Sequence, residues 1–139
     1  MTNQQVMAAV KALIEHDEKF LIIRHKYGNG TFWDIPGGRV EYGENPYDTL
    51  HREVKEEVHL EVEIVRPLGV WWFYRTLSDN KQVVCTTFLC KPKHTNVDLS
   101  KNPVEIENIE EYKWVTKEEL LEWELFSNES LKDLIRSSL

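Results

Sequence analysis

The sequence predicts an α/β fold, and three observations carry that prediction. Short alternating or continuous apolar runs recur along the chain, the pattern of buried strands. Among them one segment, from Asn45 onward, spaces its apolar residues at a helical period instead. Two further helical segments with their own capping residues close the chain. At 139 residues it reads as one domain spanning 1–139, long enough to bury a sizeable core.

Val6, Ala8, Val10, Ala12 and Ile14 alternate with more polar positions, so residues 5–15 are expected as a strand. A turn at Asp17-Glu18 leads into Phe20-Leu21-Ile22-Ile23, whose continuous apolar run marks a buried strand. Tyr27-Gly28-Asn29-Gly30 has loop chemistry, and Trp33 and Ile35 begin a short strand broken by Pro36, Gly37 and Gly38. Asn45 supplies an N-cap and Pro46 a first helical residue, with Tyr47, Leu50, Val54 and Val58 as the apolar stripe. Leu60, Val62 and Ile64 alternate with Glu61 and Glu63 as a half-exposed strand. Residues 68–76 and 82–91 are expected to pair as a hairpin around Ser78-Asp79-Asn80. A polar connection from Pro92 to Pro103 precedes mixed loop and strand from Glu105 to Val115. Thr116 caps a helix reaching about Trp123, and Ser127 or Asn128 caps the last one, with Leu131, Leu134 and Ile135 on one face. No internal repeat or low-complexity tract interrupts this order.

Composition excludes several classes. The hydrophobic share of 41% and charged share of 29% are those of an ordinary globular protein. No apolar run approaches the roughly 20 residues that span a bilayer, and the N-terminus lacks a secretory pattern, so no membrane partner and a cytoplasmic location are expected. A net charge of −7 argues against a duplex nucleic acid surface. It suits a small anionic substrate only if cations screen the site. Cys85 and Cys90 would lie about 16 Å apart along one strand, on opposite faces, too far for a disulfide.

Residues Gly38 to Leu60 carry the chemistry. Glu53, Glu56 and Glu57 share a helix face at i+3 and i+4, where like charges cost roughly 0.2–0.5 kcal/mol per pair. Glu56 and Glu57 also fall in the last turn, where the helix dipole disfavours anions. A solvated acidic face would explain a lone pair of glutamates. Here they belong to a longer pattern: Gly38, five residues, Glu44, seven residues, Arg52-Glu53-Val54, then Glu56-Glu57 and Leu60. Six fixed identities at average frequencies coincide by chance about once in ten million starting positions. Clustered carboxylate oxygens are what hard divalent cations such as Mg²⁺ or Mn²⁺ prefer.

This spacing, with the lead-in Trp33-Asp34-Ile35-Pro36-Gly37-Gly38, resembles the signature box of the Nudix hydrolases. The resemblance implies an α/β/α sandwich with a central mixed β-sheet. It also implies hydrolysis of a nucleoside diphosphate linked to a further group (a nucleoside triphosphate, nucleotide sugar or dinucleoside polyphosphate) by metal-activated water attacking phosphorus. On the same ground Mg²⁺ or Mn²⁺ is the cofactor. Glu53, Glu56 and Glu57 are its ligands with Gly37, and a further carboxylate is recruited from Glu105, Glu107, Glu110 or Glu111, of which Glu107 is preferred. Glu53, or a glutamate from another loop, is the general base. Arg52 orients carboxylates or forms a plain salt bridge, and Glu44 braces the loop or reaches a metal through water. Arg24 and Arg39 are candidate phosphate contacts, with solvation at the surface as the alternative for each. Gly38 lets the backbone turn beside the phosphates, and Trp33 is a candidate base-stacking residue. Trp71, Trp72, Phe73 and Tyr74 are others, but alternation along a strand sends at least two of the four into the core.

One position departs from the family pattern. His59 stands where glycine is usual, so either His59 is strained by about 1–2 kcal/mol or the helix ends differently. Ligation of the metal by His59 is a rival to that reading. A catalytically silent nucleotide-binding domain and an isoprenoid diphosphate isomerase of related fold are the alternative functions. The second lacks a recognisable acid–base context around its cysteines. The partner is a small nucleotide-type diphosphate, and a homodimer is left open.

Overall fold

The computed structural model describes residues 4–27, 30–75, 80–100, 108–123 and 128–139. β1 (Gln5–His16) is the strand around which the others assemble. A two-residue turn joins it to β2 (Lys19–Tyr27), with Asp17 and Glu18 at φ +50° and +62°, the pair of positive angles that matches strand twist. β3 (Gly30–Asp34) returns along β2, and β4 (Gly37–Arg39) crosses to β1, placing Gly37 opposite Lys11. After α1 (Pro46–Val58) come β5 (Val62–Arg75) and β6 (Lys81–Pro92), then β7 (Ile109–Thr116), α2 (Lys117–Glu122) and α3 (Glu129–Ser138).

The seven strands form one sheet in the order β3-β2-β1-β6-β5, with β4 beside β1 and β7 beside β2. β1 and β6 run parallel from Gln5↔Lys81 to Ile14↔Cys90, and the other pairings are antiparallel, so the sheet is mixed. Side chains alternate across it. Ala9 and Leu13 join Leu120 of α2 and Leu131 and Ile135 of α3 in one core. Val10, Ala12 and Ile14 join Leu50, Val54 and Val58 of α1 in the other. Helices on both faces of a mixed sheet make this an α/β/α sandwich.

Two local expectations are corrected, and the strand alternation at 71–74 holds. Residues 62–75 form one strand rather than two, because bulges at Ile64/Arg66 and Pro67/Gly69 absorb the irregularity without ending the pairing with β6. Tyr47 is 53% exposed; in the first turn of α1 it touches Phe88 only with its ring, 5.5 Å away between centroids. Trp71 is fully buried, while Trp72 and Tyr74 on the alternate face are exposed. Asn80 closes the β5–β6 connection with its N–H on the Arg75 carbonyl at 3.0 Å; Ser78 and Asp79 lie outside the described residues. Cys85 and Cys90 are free thiols buried in opposite cores.

Candidate active site

The phase of α1 is set at its start. The Asn45 side chain accepts from the Tyr47 N–H at 2.9 Å, and Pro46 opens the helix. With Leu50, Val54 and Val58 packed on the sheet, Glu53 and Glu57 lie one residue round the helix and face β4. Glu57 is buried, and its Oε1 accepts the Gly37 N–H at 2.7 Å. Glu53 packs so closely on Gly38 that a Cβ there would lie 2.4 Å from the carboxyl carbon. Glu56 faces outward, its side chain 46% exposed.

Arg52 supplies the positive charge next to these carboxylates. Its Nε and Nη2 bind Glu44 at 2.8 and 3.0 Å in a two-pronged pair, while Nη1 reaches Glu53 at 3.0 Å and Glu56 at 3.3 Å. The Thr49 hydroxyl also donates to Glu44 at 2.7 Å. These hydrogen bonds, led by Arg52, pull the Glu44 pKa down to about 2. Glu53 moves the other way. Burial raises its pKa, with Glu56 adding to the rise and Arg52 opposing it.

Glu53 and Glu57 open into a cleft of about 490 Å³. Gly37, Gly38 and Arg39 line it from β4, and Lys11, His25, Phe32 and Asp34 line it from β1, β2 and β3. Lys11 Nζ pairs with Asp34 Oδ2 and donates to the Ile35 carbonyl at 3.4 Å, while Asp34 Oδ1 accepts the Ile35 N–H at 2.7 Å. Burial pulls the Lys11 pKa down, but Asp34 and Glu57 hold it above its ordinary value. His25 stacks on Phe32, centroids 4.9 Å apart, with Nε2 4.0 Å from Glu57 Oε2. Its burial lowers the imidazole pKa to about 4, so it is neutral near pH 7.

Two of the candidate substrate contacts, Arg24 and Trp33, fall outside this cleft. In β2 and β3 the residues His25, Phe32 and Asp34 take the cleft side, so alternation turns Arg24 and Trp33 to the opposite face. There Arg24 pairs with Glu111 at 3.1 Å and Glu110 at 3.5 Å, and Trp33 lies edge-on to Trp123. Glu110 and Glu111 are thus committed to Arg24. Glu105 and Glu107 lie outside the described residues. Arg52, Glu44 and Glu56 stand behind the cleft rather than in it. Lys11, His25, Phe32 and Asp34 escaped the sequence reading, although a lone lysine within the apolar run Ala8 to Ile14 was a usable signal: a buried ammonium demands a partner.

The oxygen donors fit a hard divalent cation by their chemistry. Among the described residues, however, no three acidic, histidine or cysteine side chains converge closely enough to hold one. Arg52 holds Glu53 and Glu56, and the Gly37 amide holds Glu57. His59 is not among the residues that line the cleft.

A NUDIX domain model matches residues 5–134. The nucleoside triphosphatase NudI of Escherichia coli strain K12 is 26% identical over 125 residues, covering 81% of this chain and 84% of that protein. A MutT-like protein of Streptomyces ambofaciens is 35% identical over 80 residues, or 58% of this chain; the match spans about half of that relative, 47% of its length. The crystal structure of a MutT protein from Methanosarcina mazei Go1 superimposes with a TM-score of 0.80 at 27% identity, covering 99% of this chain and 95% of that one. The family match takes in every strand and the whole of the glutamate helix, and on that evidence the chain belongs to the Nudix hydrolases.

Proposed function

We propose that this pyrophosphohydrolase is divalent-metal-dependent and cleaves the diphosphate of a nucleoside diphosphate derivative, with nucleoside triphosphates the first class to test. The observation that carries this reading is the pair of buried glutamates, Glu53 and Glu57, opening with the Gly37-Gly38 backbone into one cleft that also holds aromatic and cationic side chains. The similarity to the nucleoside triphosphatase NudI supports the choice of nucleoside triphosphates.

Glu53, Glu56 and Glu57 with the Gly37 carbonyl are the groups that would hold Mg²⁺ or Mn²⁺. When bound, the ion supplies neutralisation of phosphate charge and acidification of water. The protein's own part is orientation and proton transfer. The Gly37 amide fixes Glu57, and Arg52 fixes Glu53 and Glu56. Glu53 is the proton acceptor, because its carboxylate opens into the cleft while Arg52 and the Gly38 backbone hold it in place. Arg39, exposed at the rim of the cleft, reaches phosphate oxygens.

The test is turnover of a panel of nucleoside triphosphates, nucleotide sugars and dinucleoside polyphosphates with Mg²⁺ and Mn²⁺, followed by product analysis. Glu53→Gln is expected to lower kcat/KM by about 10²-fold or more. Wild-type turnover in that variant would remove Glu53 from its role. Nucleotide binding without any product would mark a catalytically silent domain instead.

A further inference from the structure

β1 carries a charge where its neighbours are apolar. Lys11 sits between Val10 and Ala12 in a strand buried on both faces, paired with the buried Asp34. Replacing such an ion pair by apolar side chains is often neutral or stabilising, so stability alone does not account for it. Its position does. Both residues line the cleft, and the lysine side chain is 9% exposed against 2% for the aspartate, so the donor of the pair is what reaches the cleft surface.

An ammonium has three N–H donors and no acceptor. Lys11 gives one to Asp34 and a second, at 3.4 Å, to the Ile35 carbonyl. Among the described residues the third has no partner. The surroundings suit a flat ring: the His25–Phe32 stack and Phe73, with the small side chains of Ala9 and Val83. A ring seated there meets a donor that cannot become an acceptor. A carbonyl oxygen satisfies it, whereas an exocyclic amino group leaves two donors facing each other.

We propose that Lys11 is a specificity-determining residue, selecting nucleotides whose base presents a carbonyl oxygen to it, as 6-oxopurines and 4-oxopyrimidines do, over adenine. This rests on the hydrolase reading and names the substrate within it. Asp34 balances the lysine charge, so the pair offers a directed N–H without net charge. That suits a neutral carbonyl. A phosphate would meet the repulsion of the Asp34 carboxylate, and finds a better cation in the exposed Arg39. Asp34 does not favour adenine in compensation, because its carboxylate is only 2% exposed and is turned to Ile35 N and Lys11 rather than to the cleft surface.

The experiment compares kcat/KM for guanine, uracil and adenine nucleoside triphosphates with Mg²⁺. The wild type is expected to prefer the two oxo bases by about tenfold or more, the size of one hydrogen bond to a charged group. Lys11→Met alone strands a buried carboxylate, so the informative variant is Lys11→Met with Asp34→Asn, its folding checked by thermal melting. In it the oxo-to-adenine ratio is expected to approach one, while Lys11→Arg, which keeps the charge and donors, retains a preference. Equal turnover of the three by wild type overturns the inference alone. So does a double variant that slows all three alike, since that is the behaviour of a phosphate contact or a structural pair. Turnover of none of the three overturns the hydrolase reading for this class and the inference with it.

Discussion

Gly37 and Gly38 are adjacent in sequence but constrained by different neighbours, and their substitution should separate stability from activity. Gly37 has φ +151°, and a Cβ there would lie 2.2 Å from the Val10 carbonyl oxygen, a backbone atom inside the sheet that cannot yield. Gly37→Ala is expected to cost about 2–4 kcal/mol in urea unfolding. At Gly38 the obstacle is the Glu53 carboxyl group, which can swing away. Gly38→Ala should therefore melt within a few degrees of wild type yet lose about 10²-fold in kcat/KM, because the Glu53 carboxylate proposed as the base no longer points into the cleft. A Gly38→Ala enzyme at full activity would show that Glu53 need not stay where the structure places it. His25 adds a pH dependence. Burial, with Lys11 adding to it and Asp34 opposing, lowers its pKa from 6.5 to about 4. Between those values the unfolded chain binds a proton that the folded chain refuses. The penalty is absent above pH 6.5 and grows as pH falls toward 4. His25→Gln should flatten the stability profile across that window, and an unchanged slope would place the imidazole in solvent.

At the scale of elements, α1 shows what its sequence already contained and what it did not. The capping pair Asn45-Pro46 and the stripe Leu50, Val54 and Val58 set the helix and its buried face, because both rest on local geometry and period. The ending is set by the backbone at His59. His59 adopts φ +58° and ψ +34°, with its N–H on the Lys55 carbonyl at 3.0 Å, so the chain ends the helix as a glycine would and bears the strain. Among the described residues the His59 Nε2 is also buried without a hydrogen-bond partner. His59→Gly should raise stability by about 1 kcal/mol, read as a higher melting temperature. A lower one would mean that packing of the imidazole outweighs its backbone strain. Strand phase explains the misplaced candidates. Arg24 and Trp33 flank the box in sequence, but proximity along a strand says nothing about side; the parity that brings His25 and Phe32 to the cleft sends both of them away.

For the whole molecule, a chain of net charge −7 concentrates carboxylate beside the cleft proposed to take an anionic substrate. Arg52 offsets part of that charge, and a bound divalent cation would offset more. Millimolar Mg²⁺ or Mn²⁺ is accordingly expected to raise the melting temperature, since an ion at 100 times its Kd stabilises the folded state by about 2.7 kcal/mol. Glu53→Gln combined with Glu57→Gln should abolish the shift. If neither ion moves the wild-type transition, the carboxylates do not form a site without substrate.

Taken by itself, the order of residues determined the class of fold, the helix that carries the glutamates, the two faces of that helix and the family. Each of these depends on spacing within a few turns or one strand, where period and capping act directly. Tertiary structure decided the rest. The parallel pairing of β1 with β6 joins segments about 75 residues apart, and no local period encodes a partner strand. That pairing, the crossing of β4 and the contact of Lys11 with Asp34 assemble the cleft from residues distant in sequence. Which glutamate is buried, which arginine faces solvent and which lysine lines the cleft follow from the way the sheet closes.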